Sequence, residues 1–240
     1  MAKNLRSLSR RLSDQQPMAR PSEENPGSPV LVVGLGRFGS AIAQTLTTLG
    51  HEVLGVDSDE EVVQAHADVL THVVAANCTN TVSLRQLGVE EFTHAVVGMG
   101  NIEASILTCV ALVDLGVENI WAKAISDAHG RILERVGAHH VVYPESDMGE
   151  RVAHLVTGRM MEYILLDDDF ALVETRAPRE LIGKTLGEAG VRGRFGVTVV
   201  CVKPKGQTFT YATPDTLIDE EDLLLVAGQK EHAEKFGYVN

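Results

Sequence analysis

An apolar run, three spaced glycines and a following acid limit this chain more than any other pattern in it. The run is Val30-Leu-Val-Val-Gly-Leu-Gly-Arg-Phe-Gly-Ser40, answered by Val53-Leu-Gly-Val-Asp57. Short apolar segments flanking a helical stretch predict a βαβ unit, with the glycines at the first turn. Gly34 permits the tight strand-to-helix turn, Gly36 lets backbone approach a phosphate, and Gly39 lets the helix close on the strand. An anion at that helix N-terminus meets unpaired N–H groups and the positive end of the helix dipole. Phe38 belongs to the same loop. Asp57 stands 18 residues after Gly39, where a carboxylate accepts hydrogen bonds from ribose hydroxyls and repels a 2′-phosphate. A nucleotide without that phosphate is expected.

Beyond the motif the pattern continues as strand, helix, strand. Strands are expected over residues 30–33, 53–56, 69–74, 94–99, 120–125 and 140–143, and helices over 38–49, 60–67, 81–87, 102–115 and 128–136. Gly50, Gly88, Gly116 and Gly137 each follow a helical stretch closely, as C-terminal caps do. The alternation predicts an α/β fold, a Rossmann-like doubly wound parallel sheet over residues 30–146. Residues 147–163 read as a connector helix, with Met148, Val152, Leu155, Val156 and Met160 near helical spacing. That helix either covers the sheet or carries a dimer contact. Residues 164–240 show short strands at 171–175, 197–202, 209–211 and 223–226, and helical pieces at 185–189 and 230–236. They predict a small α+β C-terminal lobe. Residues 1–29 are basic and proline-rich and read as a disordered tail.

The formal net charge of −12 argues against nucleic acid as a partner, because phosphate binding needs a basic surface. Cys78, Cys109 and Cys201 show neither disulfide nor zinc spacing, so a reducing cytoplasm is expected. No apolar run approaches the roughly eighteen residues of a membrane span, so action at a membrane requires a partner.

Several residues carry two readings. Arg37, in the glycine loop, either faces solvent or reaches a terminal phosphate. The phosphate suits it better, because a cation is badly placed at a helix N-terminus. Lys123, read as lying within a buried strand, pairs either with a nucleotide or with a neighbouring acid. Ser58, Asn77 and Cys78 either line the ribose and adenine or serve turns. Glu145 is a metal ligand or a helix N-terminal acid, the latter capped by Ser146 or Asp147. A dehydrogenase is disfavoured. No Tyr-x-x-x-Lys pair exists, since Tyr143 and Tyr163 are followed at that interval by Asp147 and Asp167, and no enzyme activity is expected. The nine histidines show no metal spacing and read as surface or packing residues.

Gly34-Leu-Gly-Arg-Phe-Gly39, Asn101-Ile-Glu-Ala-Ser105, Ile120-Trp-Ala-Lys-Ala124 and Pro144-Glu-Ser-Asp-Met-Gly149 occur in one order. With Leu181-Ile-Gly-Lys-Thr-Leu186 and Asp219-Glu-Glu-Asp-Leu-Leu-Leu-Val226, they make residues 30–240 resemble the cytoplasmic regulatory subunits of Ktr/Trk potassium-uptake systems. These are built from domains that regulate potassium conductance. The resemblance implies a homo-oligomeric ring, commonly an octamer, peripheral on the inner membrane face through a potassium-translocating subunit. It implies exchange of ATP and ADP, with NAD or NADH as the alternative, and a nucleotide site including Asn77, Cys78 and Lys123. It further implies a divalent cation, Mg²⁺ or Ca²⁺, at Glu145. Some of the similar subunits bind cyclic di-AMP in the C-terminal lobe, which directs attention to Ile182, Leu186 and residues 191–195. The tail lies outside the resemblance.

Overall fold

In a computed structural model, which describes residues 29–239, the chain divides between Tyr143 and Pro144 into two compact units. The first is built as β1 (Val30–Val33), α1 (Arg37–Thr48), β2 (Val53–Asp57), α2 (Glu60–His66), β3 (His72–Ala75) and α3 (Thr81–Gln86). It continues as β4 (His94–Val97), α4 (Ile102–Asp114), β5 (Asn119–Lys123), α5 (Asp127–Arg135) and β6 (His140–Val142). The six strands form one parallel sheet in the order β3-β2-β1-β4-β5-β6. The order reverses between β1 and β4, which opens a crevice above their C-terminal ends.

The continuous burial of β1 follows from its two covered faces. Successive side chains alternate, so Leu31 and Val33 join the core with Leu84, Leu112 and Leu133 of α3, α4 and α5. Val30 and Val32 join Ala43 of α1 and, at the edge, Val62 of α2 on the opposite face. Gly50 and Gly116, with φ of 90° and 81°, end α1 and α4 as their positions predict.

The second unit comprises α6 (Pro144–Leu155), β7 (Met160–Asp167), β8 (Phe170–Arg176), α7 (Leu186–Ala189), α8 (Val191–Phe195), β9 (Val197–Lys203), β10 (Thr210–Tyr211), β11 (Leu223–Gln229) and α9 (Lys230–Gly237). Its antiparallel sheet runs β10-β9-β11-β8-β7. The expected connector helix over 147–163 is corrected here. The helix begins at Pro144 and ends at Leu155, and the chain turns at Gly158, whose φ is 70°. Residues from Met160 onward pair with β8. A register shift between Met160 and Glu162 puts both Met160 and Tyr163 in the core, which imitates helical spacing in the sequence. Helix α8 was also not expected. The tail expected over residues 1–29 lies, apart from Pro29, outside the described residues.

Polar contacts tie α6 to its own unit. Arg151 pairs with Glu162 of β7, Glu150 receives Lys230 Nζ at 2.6 Å, and the His154 and Tyr163 rings stack at 4.0 Å. The hydrogen bonds from Arg151 and Lys230 hold the Glu162 and Glu150 carboxyls below the ordinary carboxylate value. The unfolded chain therefore binds more protons than the folded one as pH falls through about 4.5. Stability from both pairs is present above that pH and lost below it. Glu162→Gln is expected to flatten the acid limb of a urea-midpoint titration, and an unchanged limb would refute the linkage.

Candidate functional site

The glycine loop joins β1 to α1, and three of its residues have different physical reasons to be glycine. Gly34 has a φ of 86°, and a Cβ there would stand 3.0 Å from the Met99 backbone nitrogen. A Cβ on Gly39 would fall 1.9 Å from the Gly34 carbonyl oxygen, so only glycine lets α1 close on the turn. Gly36 meets nothing within 4 Å, and its backbone is extended, at φ −65° and ψ −174°. Nothing inside the fold demands glycine there, so the open space at Gly36 fits a phosphate approaching the backbone.

The electrostatics point the same way. Helices α2, α3, α4 and α5 are capped by Asp59, Asn80, Asn101 and Ser126, each accepting a backbone N–H. Helix α1 has Gly36 at its N-cap with no side-chain bond, no acid in its first turn, and exposed Arg37 as its first residue. A helix start with a cation and no side-chain cap is suited to receive an anionic group.

Asp57, the last residue of β2, is half-buried. Its Oδ2 accepts the Leu35 N–H at 2.7 Å and its Oδ1 accepts the Asp59 N–H at 3.0 Å. A carboxylate has about four acceptor sites, so ribose hydroxyls can still be received. Asp57 borders a cleft of about 160 Å³ with Gly34, Ser58, Asn77, Cys78, Thr79, Met99 and Asn101. The fold thus brings five of the expected residues, Gly34, Asp57, Ser58, Asn77 and Cys78, to one place. The volume suits one nucleoside part rather than a whole dinucleotide. Thr79 and Met99 were not expected. Nothing in their own sequence neighbourhoods marks them, because the third and fourth strand ends supply them.

Asn77 also serves the turn, since its Oδ1 accepts both the Thr79 N–H at 3.0 Å and the Thr79 hydroxyl at 2.7 Å. The Cys78 thiol is pushed up to about 12 by burial and then by the Asp57 charge. It is a neutral, unreactive lining group. Ser58 is exposed at the cleft's edge.

Lys123 is the last residue of β5 and half-exposed, which corrects its expected place within a buried strand. Its Nζ lies 5.9 Å from the centre of the Phe38 ring. Glu145 is exposed in the first turn of α6, in the second unit. Because that helix starts at Pro144, Ser146 and Asp147 stand inside it and are not its caps. Among the described residues no three His, Cys, Asp or Glu side chains cluster to hold a metal. In the second unit Leu186 and Val191 border a depression of about 310 Å³, whereas Ile182 borders a different one.

The sequence pattern gave no hint of a buried polar link beside this edge. His129 of α5 is buried, with Nδ1 accepting the Ile125 N–H at 3.3 Å and Nε2 lying 2.8 Å from the Ser105 hydroxyl of α4. Ser105 donates in turn to the Ile102 carbonyl at 3.0 Å. This chain needs a neutral imidazole with its proton on Nε2. Burial lowers the His129 pKa from its ordinary 6.5, and burial followed by the neighbouring His139 lowers that of His140. Just below pH 6.5 the unfolded chain therefore binds more protons, and stability falls until the folded imidazoles themselves protonate. Urea midpoints are expected to drop between pH 7.5 and pH 5.5, and His129→Leu should reduce that drop. An equal drop in the variant would exclude His129 as a source.

Known proteins similar to this chain bear on its family and its fold. A family model described as the TrkA-N domain matches residues 30–144, and one described as the TrkA-C domain matches residues 170–237. The chain is 39% identical over 207 residues to Ktr system potassium uptake protein A of Bacillus subtilis (strain 168), covering 85% of this chain and 93% of that protein. It is 37% identical over 207 residues to Ktr system potassium uptake protein C of the same organism, covering 85% and 94%. Among solved structures, the GsuK RCK domain is similar with a TM-score of 0.63 at 21% identity, over 98% of this chain and 51% of that one. This chain therefore spans about half of that structure, and the likeness shows the fold. The GsuK channel bound to NAD is similar at a TM-score of 0.62 and 21% identity, over 97% of this chain and 42% of that one.

Proposed function

The chain belongs to the Ktr/Trk potassium-uptake family of RCK regulatory subunits, and from that we propose that it senses a nucleotide and controls a separate membrane pore. The observation that carries this reading is the glycine loop: an open Gly36 at an uncapped helix, beside Asp57 in the cleft. No helix among the described residues is long and apolar enough to cross a membrane, so the pore is supplied by a potassium-translocating partner. The subunit acts on the cytoplasmic side of that partner, as a homo-oligomeric ring that is commonly an octamer in the similar subunits. It is a switch rather than an enzyme.

The sensed nucleotides are ATP and ADP. Asp57 receives the ribose, the α1 N-terminus receives phosphate, and exposed Arg37 reaches the terminal phosphate that distinguishes the two. A ligand shifts the ring between two shapes only through its different affinity for them. Mg²⁺ or Ca²⁺ would take most of its ligands from phosphate oxygens and water, with the Glu145 carboxylate as a protein ligand. Asp57 equally suits NAD or NADH, and the relative named as bound to NAD supports that second reading. Cyclic di-AMP in the second unit rests on resemblance together with the depression bordered by Leu186 and Val191.

Calorimetric titration with ATP, ADP and NADH in the presence of Mg²⁺ tests the choice. ATP is expected to bind most tightly, and Arg37→Ala to narrow the ATP–ADP difference by about tenfold, the worth of one charge-assisted contact. Equal ATP and ADP affinities with much tighter NADH would replace the ATP reading with the NAD one. Potassium flux through the reconstituted pore, with and without the subunit, tests the regulatory role.

A further inference from the structure

The second unit holds a concentration of positive charge that the nucleotide reading does not use. Arg159, Arg176 and Arg179 line one depression of about 260 Å³, with Ile182, Glu220 and Val239 among its other walls. This occurs in a chain whose net charge is −12, so the clustering runs against the average. Arg151, Arg194, Lys205 and Lys230 of the same unit each have a glutamate partner. Among the described residues, none of the three pocket arginines makes an ion pair.

The sheet forces the charges together. Met160 of β7 pairs with Thr175 of β8, so Arg159 and Arg176 stand at neighbouring strand ends. The Thr175 hydroxyl, itself buried, donates to the Arg159 carbonyl at 3.2 Å and fixes that approach. Arg179 follows three residues later, after Ala177 has donated its N–H to the Asp222 carbonyl at 3.1 Å. The backbone thus brings three like-charged residues to one depression. Arg159 is held further by donating to the Tyr238 carbonyl at 3.0 Å and lying 5.7 Å from the centre of the Tyr238 ring. It still has further N–H donors to offer.

We propose that this depression binds a small anion bearing a phosphate group, at a site of its own in the second unit. Among the lining residues, three arginines and Glu220 carry two net positive charges, which match a phosphate monoester of about −1.5 to −2 at neutral pH. Guanidinium forks suit phosphate oxygens in direction as well as charge. The volume lies just below the roughly 300 Å³ at which ordinary small-molecule pockets begin, so it admits phosphate with a small substituent. A recessed pocket takes single groups, whereas attraction to a flat anionic membrane uses clusters of about four to eight basic residues.

The test uses the whole chain titrated with inorganic phosphate by calorimetry at constant ionic strength, beside an Arg176→Gln/Arg179→Gln variant. Both side chains are exposed, so the variant is expected to fold, which urea unfolding checks. Saturable phosphate binding, weakened about tenfold or more in the variant while its ATP and NADH affinities are unchanged, supports the site. Equal phosphate affinity in both proteins, or a response matched by chloride, overturns it. Sedimentation with phosphatidylcholine vesicles containing phosphatidic acid identifies the source. Pelleting that needs the arginines and is displaced by phosphate assigns the group to a lipid headgroup. Arginine-dependent phosphate binding without pelleting assigns it to a soluble anion. Pelleting that the variant retains, with no phosphate binding, overturns the site.

Discussion

In Gly36→Val the protein stays folded and loses nucleotide binding, whereas in Gly39→Ala the first unit itself is destabilised. The two glycines lie three residues apart in one motif, but they meet different surroundings. At Gly36 the backbone is already in the extended region that any residue adopts, and an added side chain meets no protein atom within 4 Å. Valine there occupies only the space before the α1 N-terminus, where a phosphate would receive backbone N–H groups. Losing those contacts is expected to weaken nucleotide binding by about a hundredfold, some 3 kcal/mol, with the urea midpoint nearly unchanged. At Gly39 the new Cβ falls 1.9 Å from the Gly34 carbonyl oxygen. Backbone cannot swing aside as a side chain can, so α1 must move off β1 and open the core around Val32 and Ala43. A loss of about 3 kcal/mol or more is expected. Unfolding curves and calorimetry on both variants check the contrast. Intact nucleotide affinity in a folded Gly36→Val protein would remove the glycine loop from the binding site.

Asp57→Asn is the second substitution with a large expected effect, and it acts on fold and ligand together. The carboxylate receives Leu35 N–H on one oxygen and Asp59 N–H on the other. An amide offers a single acceptor oxygen, so one of those donors is left unmatched. Leu35 is buried, and an unmatched buried donor costs about 1–3 kcal/mol. The ribose hydroxyls also lose acceptor sites. Nucleotide affinity is expected to fall by about tenfold to a hundredfold, together with a lower urea midpoint. Calorimetry and denaturation read the two effects separately. Unchanged affinity with lowered stability would leave Asp57 as a brace for the loop and no more.

The cleft was legible in the sequence wherever one local pattern served one local purpose. Gly34, Gly36, Gly39 and Asp57 follow from the βαβ signature, because a turn, a close packing and a strand-end acid are short-range demands. Lys123 was harder to place. The residues around it look like strand interior, yet β5 ends at Lys123, which leaves the side chain half-exposed over Phe38. Met99 and Thr79 were invisible for a related reason, since only strand order sets them beside Asp57. The region after α6 misled because Met160 and Tyr163 are three residues apart and both buried. Helical periodicity and a bulged strand give that same spacing, and pairing with β8 decides between them.

By itself, then, the sequence determined the parallel sheet, the glycine turn between its first strand and helix, and the acid that accompanies it. Apolar alternation and glycine placement act over distances of a few residues, so they are written where they operate. The tertiary structure alone decided which strand ends share the cleft, that the His129 and Ser105 side chains meet inside the core, and that Arg159, Arg176 and Arg179 converge on one depression. Those groups are brought together by strand order and helix packing, and the free energy that fixes such contacts comes from burying whole faces rather than from any adjacent residues.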